Sequence, residues 1–196
     1  WKGSEKKHFN GTIDEVSIYG RALSAPEISD YVNSTCPPVH NLDGGYYFSI
    51  QAAVDAANDG DTIAVDAGTY AEDVTIPAKR ISMTLDAGVV IDGGLTVQNG
   101  GSLTVIDSTF KVNSIAVQPG GHLNIDPTWV ETGEVFINGS AQWVDSTVYV
   151  LENITVGSSG LFWVNNTYVQ FNVTTDDHIS RVNTSGKLYT NAGTNI

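Results

Sequence analysis

The chain reads as an all-β protein: a right-handed parallel β-helix of about six coils of about 20 residues, with an N-terminal capping helix and an N-terminal strand–helix appendage. Three observations predict it. A strand-ending phrase recurs with an acidic or amide residue at Asp66, Asp86, Asp107, Asp126, Asp145 and Asn165, at spacings of 20, 21, 19, 19 and 20. A second column keeps the same beat through Leu95-Thr96-Val97, Ile115-Ala116-Val117, Val135-Phe136-Ile137 and Ile154-Thr155-Val156. Glycines follow it at Gly100-Gly101, Gly120-Gly121, Gly139 and Gly160. Third, each short run alternates apolar and polar residues, the period of a strand with one buried face.

Three such runs per repeat, separated by Gly, Asn, Asp, Ser or Pro, predict a triangular coil. Stacking pairs every strand with its equivalent one turn on, so six coils at about 4.8 Å stand roughly 30 Å tall. Crossovers between parallel strands favour the right-handed sense. Ahead of the coils, Ser49 to Gly60 predicts a capped amphipathic helix. Ser49 is its N-cap, Ile50, Ala53, Val54 and Ala57 share one face, and Gly60 ends it. A helix there would plug the apolar end of the prism.

Residues 46–196 therefore form the solenoid and 36–45 a linker around Cys36 and Pro37-Pro38. Residues 1–35 differ in character. Phe9 to Tyr19 alternates like a strand, and Ser24-Ala25-Pro26-Glu27-Ile28 opens a short helix. A lone strand cannot bury its apolar face or satisfy its backbone, so it must dock on the solenoid or on a neighbouring subunit.

Two stretches resemble known families. Phe9-Asn10-Gly11-Thr12-Ile13-Asp14-Glu15-Val16-Ser17-Ile18-Tyr19, then Arg21-Ala22-Leu23-Ser24 and Glu27-Ile28, resemble the closing stretch of laminin-G-like, or concanavalin-like, jelly rolls. The resemblance spans residues 8–33. The body of that sandwich has no counterpart here, so its ligand-binding loops are not carried over. Ser49-Ile50-Gln51, Gly60-Asp61-Thr62-Ile63, Gly68-Thr69-Tyr70 and Asp73 to Ile76 resemble the opening of pectate-lyase-like right-handed β-helices. This second resemblance implies the fold of residues 46–190 and no activity, because the shared residues are architectural.

The net charge of −13 argues against nucleic acid and anionic lipid, since only Lys111, Arg181 and Lys187 are basic after residue 80. No run approaches the length of a membrane span. Seven sequons, at Asn10, Asn33, Asn138, Asn153, Asn165, Asn172 and Asn183, exceed the about 2.7 expected by chance and point to N-glycans on a secreted protein. Cys36 stands alone, a candidate for an intermolecular disulfide.

No catalytic residues are assigned. Lyases of the family it resembles combine Ca²⁺-binding carboxylates with an arginine base, and no acidic cluster flanks Arg181. Hydrolases need paired carboxylates. The Asp column has two readings: an Asx-turn at each corner, favoured because Asn165 continues it, or a Ca²⁺ ladder through Asp107, Asp126 and Asp145. Trp143 and Trp163 share a column that holds Thr104 and Asn124 in earlier coils, so both are expected to point outward, either as interface or sugar contacts or as an aromatic ladder that stabilises adjacent coils. The expected function is an extracellular, self-assembling structural protein of a cell-surface sheath, surface layer or filament, polymerised through strand donation and coil-end contacts. Repetitive β-helices with jelly-roll modules resemble large surface proteins of archaea and some bacteria. The alternative is a carbohydrate-binding or carbohydrate-active module of a secreted protein.

Overall fold

The computed structural model describes residues 20–24, 37–126, 128–171, 182–184 and 187–190. The chain divides into two compact units, Trp1–Cys36 and Pro37–Ile196. In the first, only the short exposed stretch 20–24 is described. The strand and helix expected within residues 8–33, with Asn10, Asn33 and Cys36, lie outside the described residues.

The second unit is a parallel β-solenoid of about 5 turns. Its first face is a parallel stack of β3 (Thr62–Val65), β6 (Arg80–Leu85), β8 (Ser102–Val105), β10 (His122–Ile125), β12 (Ser140–Val144), β15 (Leu161–Asn165) and β18 (Lys187–Thr190). The other two faces are the two halves of the long strands β7 (Val89–Val97), β9 (Ser108–Val117) and β11 (Thr128–Ile137). The first halves pair with β4 (Gly68–Tyr70) below and with β13 (Thr147–Val150) and β16 (Tyr168–Phe171) above. The second halves pair with β5 (Val74–Ile76), β14 (Ile154–Val156) and β17 (Val182–Thr184). The triangular coil follows from alternation. On each face every second side chain turns inward, and parallel register sets it upon its equivalent in the next coil.

One inward column of the first face runs Ile63, Met83, Val105, Ile125, Trp143 and Val164. Its neighbour runs Ile81, Leu103, Leu123, Ala141 and Phe162. All of these are buried. Where the first column widens to Trp143, the second narrows to Ala141. Phe162 then stacks above Ala141 and meets the Trp143 ring edge-on, with centroids 4.7 Å apart at 81°. Such a pair is worth about 0.5–1.5 kcal/mol beyond its area.

The N-terminal end is closed by more than a helix. The segment Cys36–Gly45, read above as a linker, holds β1 (Val39–Asn41) and leads into β2 (Gly45–Tyr47). This hairpin pairs antiparallel with β3 and covers its open edge. A strand reading was missed because Pro37-Pro38 and Asp43-Gly44-Gly45 dominate the local composition. Helix α1 (Ile50–Ala56) buries Ile50, Ala53 and Val54 over the coil end, as expected, but stops short of Gly60.

Residues of the first coil hold both helix ends. The Ser49 hydroxyl accepts from Ala52 N–H at 3.1 Å, and the Glu72 carboxylate accepts from Ile50 and Gln51 N–H at 2.7 and 2.9 Å. Lys79 Nζ donates to the carbonyls of Val54 and Ala57 at 2.8 and 2.7 Å. Asp61, whose carboxyl is held below the usual range by hydrogen bonds from Asn41 and Asn58, takes the Asn58 N–H and turns the chain into β3.

The glycine column predicted from sequence has a steric cause. A Cβ on Gly121 would lie 2.7 Å from the Val97 carbonyl oxygen and 2.9 Å from that of Gln118's counterpart, Gln98. The Val97 oxygen accepts from Gln118 N–H in the ladder and the Gln98 oxygen from Gly101 N–H in the turn, so neither can move aside. Gly121→Ala is expected to destabilise the fold by about 1–3 kcal/mol, read as a lower thermal midpoint with an unchanged far-UV spectrum at low temperature.

Candidate functional site

The Asp column is the most regular polar feature of the sequence, and its geometry differs from a straight ladder. Spacings that vary around 20 become slips in register. Asp126 donates its N–H to Val105 O, which places it opposite Ile106, one residue before Asp107. On the other side Trp143 lies opposite Ile125, so Val144, and not Asp145, follows opposite Asp126. Asp126 therefore stands one residue out of step with Asp107 and Asp145, and the three candidate Ca²⁺ ligands do not stack in one column. Among the described residues no three His, Cys, Asp or Glu side chains form a group able to hold a metal ion.

The corner is made by backbone conformation. Asp107 and Asp145 adopt φ of 46° and 48°, the left-handed region in which Asp and Asn are the tolerated non-glycine residues. Asn166, with φ of 45°, continues the column in place of Asn165. Its Nδ2 donates to Asp145 Oδ1 at 2.6 Å. The slip arises because β12 and β15 pair at a spacing of 21, with Asp145's predecessor Val144 opposite Asn165.

From the corner at Asp107 onward, a buried hydroxyl that sequence reading did not single out lies just inside the turn. Ser108, Thr128, Ser146 and Thr167 are all nearly inaccessible. Ser108, Ser146 and Thr167 each donate back across the corner, to Ile106 O at 2.7 Å, Val144 O at 2.6 Å and Asn165 O at 2.9 Å. They also accept N–H groups from the coil before: Leu85 N to Ser108 Oγ at 2.9 Å, Thr128 N to Ser146 Oγ at 3.1 Å, and Ser146 N to Thr167 Oγ1 at 3.3 Å. Each hydroxyl thus satisfies backbone groups that the turn removes from the ladder, and it laces one coil to the next. The signal was present as Asp-Ser-Thr, Asp-Pro-Thr and Asn-Asn-Thr.

The two tryptophans separate. Trp143 is fully buried, which corrects the expectation that it faces outward. Trp163 is 39% exposed and lies opposite Gln142. Their spacing of 20 does not match the structural step of 21 between these two strands, so they fall on opposite sides of the sheet. The Trp143 indole N–H is buried without an acceptor. That costs about 1–3 kcal/mol, less than the roughly 4–6 kcal/mol from removing an indole-sized apolar surface from water.

Of the sequons, Asn138 is exposed and Asn153 and Asn165 are half-buried. The hydroxyl of the third sequon, on Thr167, is one of the buried corner groups. Asn172 and the Asn183 side chain lie outside the described residues. No helix among the described residues is long and apolar enough to cross a membrane.

On the second face, Lys111 and Glu131 form an ion pair at 3.0 Å beside a groove of about 320 Å³. The groove follows the bend at which the long strands change face. Glu134 nearby has its carboxyl pushed above the usual range, by burial first and by the adjacent Glu152 second. At the opposite end of that face the Tyr70 hydroxyl donates to Asp66 O at 2.7 Å. Burial, reinforced by the charges of Asp66, Glu72 and Asp86, pushes its pKa up to about 12. Comparison with known protein families, with curated proteins and with solved structures finds no match.

Two outcomes follow from this geometry. Ser146→Ala leaves the Thr128 N–H without its buried acceptor and is expected to cost about 1–3 kcal/mol in denaturant unfolding. Ser146→Thr, which copies the neighbouring Thr128 and Thr167, should recover most of that loss. Tyr70 keeps its proton more tightly folded than unfolded, so its contribution is complete below pH 10 and is lost as pH rises towards 12. An ultraviolet titration in which Tyr70→Phe removes no late-ionising tyrosine would contradict the assignment.

Proposed function

We propose that the chain is an extracellular structural protein, a right-handed solenoid of the pectate-lyase-like kind that self-assembles in a cell-surface sheath, surface layer or filament. The observation that carries this reading is the use made of the corner residues. In the column with the best sequence claim to chemistry, Asp107 and Asp145, continued by Asn166, supply left-handed turns. The hydroxyls beside it are spent on lacing coils together. Residues arranged in this way serve rigidity along the axis. Acid–base chemistry would need two carboxylates facing one substrate atom.

Further support comes from sequence. The sequons suit a glycosylated surface protein, Cys36 suits a covalent link between subunits, and residues 8–33 resemble the closing stretch of a jelly roll. On this reading that segment is the donated strand. No catalytic role is assigned to any residue, and no bound metal is required.

Electron microscopy of the purified protein is the decisive measurement. Tubes, sheets or fibres of regular repeat are expected. A monodisperse monomer that depolymerises polyuronates would sink the proposal.

A further inference from the structure

The second face carries an aromatic strip that the scaffold reading does not use. Trp129 and Tyr149 project outward from β11 and β13, half-buried, with ring centroids 5.4 Å apart at 48°. Tyr168, 45% exposed, follows one coil on, opposite Thr147. Trp129 and Tyr168 thus lie in one outward row, Trp129 opposite Thr147 in turn, with Tyr149 between them in the adjacent row. Two coil steps separate the outer pair by about 9.6 Å along the axis. That is the scale of two consecutive sugar rings.

The groove adjoins this strip directly. Glu131 is the register partner of Tyr149 on one side and of Lys111 on the other. Asn113, Glu152 and Gly133 complete the groove's polar part. A side chain at Gly133 would collide with the Asn113 carbonyl oxygen, so the floor there stays open. Its volume, about 320 Å³, lies at the lower end of ligand-sized clefts.

We propose that this face binds an uncharged, hydroxyl-rich glycan chain. Trp129, Tyr149 and Tyr168 form the stacking platform, and Lys111, Glu131 and Glu152 are hydrogen-bond partners in the groove. Aromatic rings held half-buried in a sheet present a flat apolar surface with little rotamer freedom left to lose, suited to the C–H face of a pyranose. The carboxylates and the ammonium offer acceptors and donors to its hydroxyls. Charge selects the class. Against the carboxylates of Glu131, Glu134 and Glu152 stands one cation, Lys111, already paired. A uronate chain would add like charge to that cluster, whereas a neutral sugar is not repelled. The inference does not depend on self-assembly, since the face is complete within one chain.

Calorimetric titration with soluble oligosaccharides of β-glucan, galactomannan and xylan, with oligogalacturonate as the anionic comparison, tests it on monomer or assembly alike. Binding of at least one neutral oligosaccharide is expected, weakened 10-fold or more in Trp129→Ala and in Tyr149→Thr, with no heat from oligogalacturonate. Tyr149→Thr places in the strand a residue already found beside it at Thr147, and decides the matter if Trp129→Ala does not fold. The proposal is overturned if none of the three neutral oligosaccharides binds, if binding survives both substitutions unchanged, or if oligogalacturonate alone binds.

Discussion

Parallel pairing between successive coils is the constraint on which the rest of the structure depends. A strand here finds its backbone partners only in the coil below and the coil above, so each coil must repeat the direction and register of its neighbour. Everything that recurs in the sequence follows from that demand. Apolar columns recur because inward positions stack. Glycines recur where one coil's backbone would leave no room for a Cβ on the next. The N-terminal coil has no predecessor, and the chain supplies substitutes: the β1–β2 hairpin pairs with β3, and α1 lies over the core with its termini held by Glu72 and Lys79.

Corners are where the constraint is hardest to meet. A backbone that turns between faces takes N–H and C=O groups out of the ladder, and buried groups without partners cost more than the net worth of an ordinary hydrogen bond. The solution at the first corner joins a left-handed residue to a buried hydroxyl. The left-handed residue makes the turn compact. The hydroxyl donates across it and accepts from the coil before. Ser108, Ser146 and Thr167 perform this with the same geometry although their spacing along the chain differs. Length variation is thus absorbed at the corners and does not reach the apolar columns.

Outward positions escape the constraint and carry what distinguishes one coil from another. On the early coils they include many small residues, among them Thr69, Thr75, Ser82, Thr96 and Thr104. From β11 onward they include Trp129, Phe136, Tyr149, Trp163 and Tyr168. The core underneath does not change in kind, so this shift in surface chemistry is a property laid over a uniform scaffold. Glycan recognition on one face and mechanical continuity along the axis are compatible for that reason.

The sequence by itself determined the solenoid, its period, the inward column through Leu95, Ile115, Val135 and Ile154, and the N-terminal helix, because each rests on local alternation or on a repeat that stacking must preserve. Only the tertiary structure decided which residues stand opposite one another. A repeat of 20 inferred by counting placed Trp143 with Trp163 and Asp107 above Asp126. Steps of unequal length put Trp143 in the core opposite Ile125 and moved the corner from Asn165 to Asn166. One residue of slip turns a side chain to the other face of a strand. Counting along a chain cannot see such a slip, because it is set by how a coil closes at its corners. The groove beside Trp129 and Tyr149 was invisible for the same reason. Its members come from four coils, and only register brings them together.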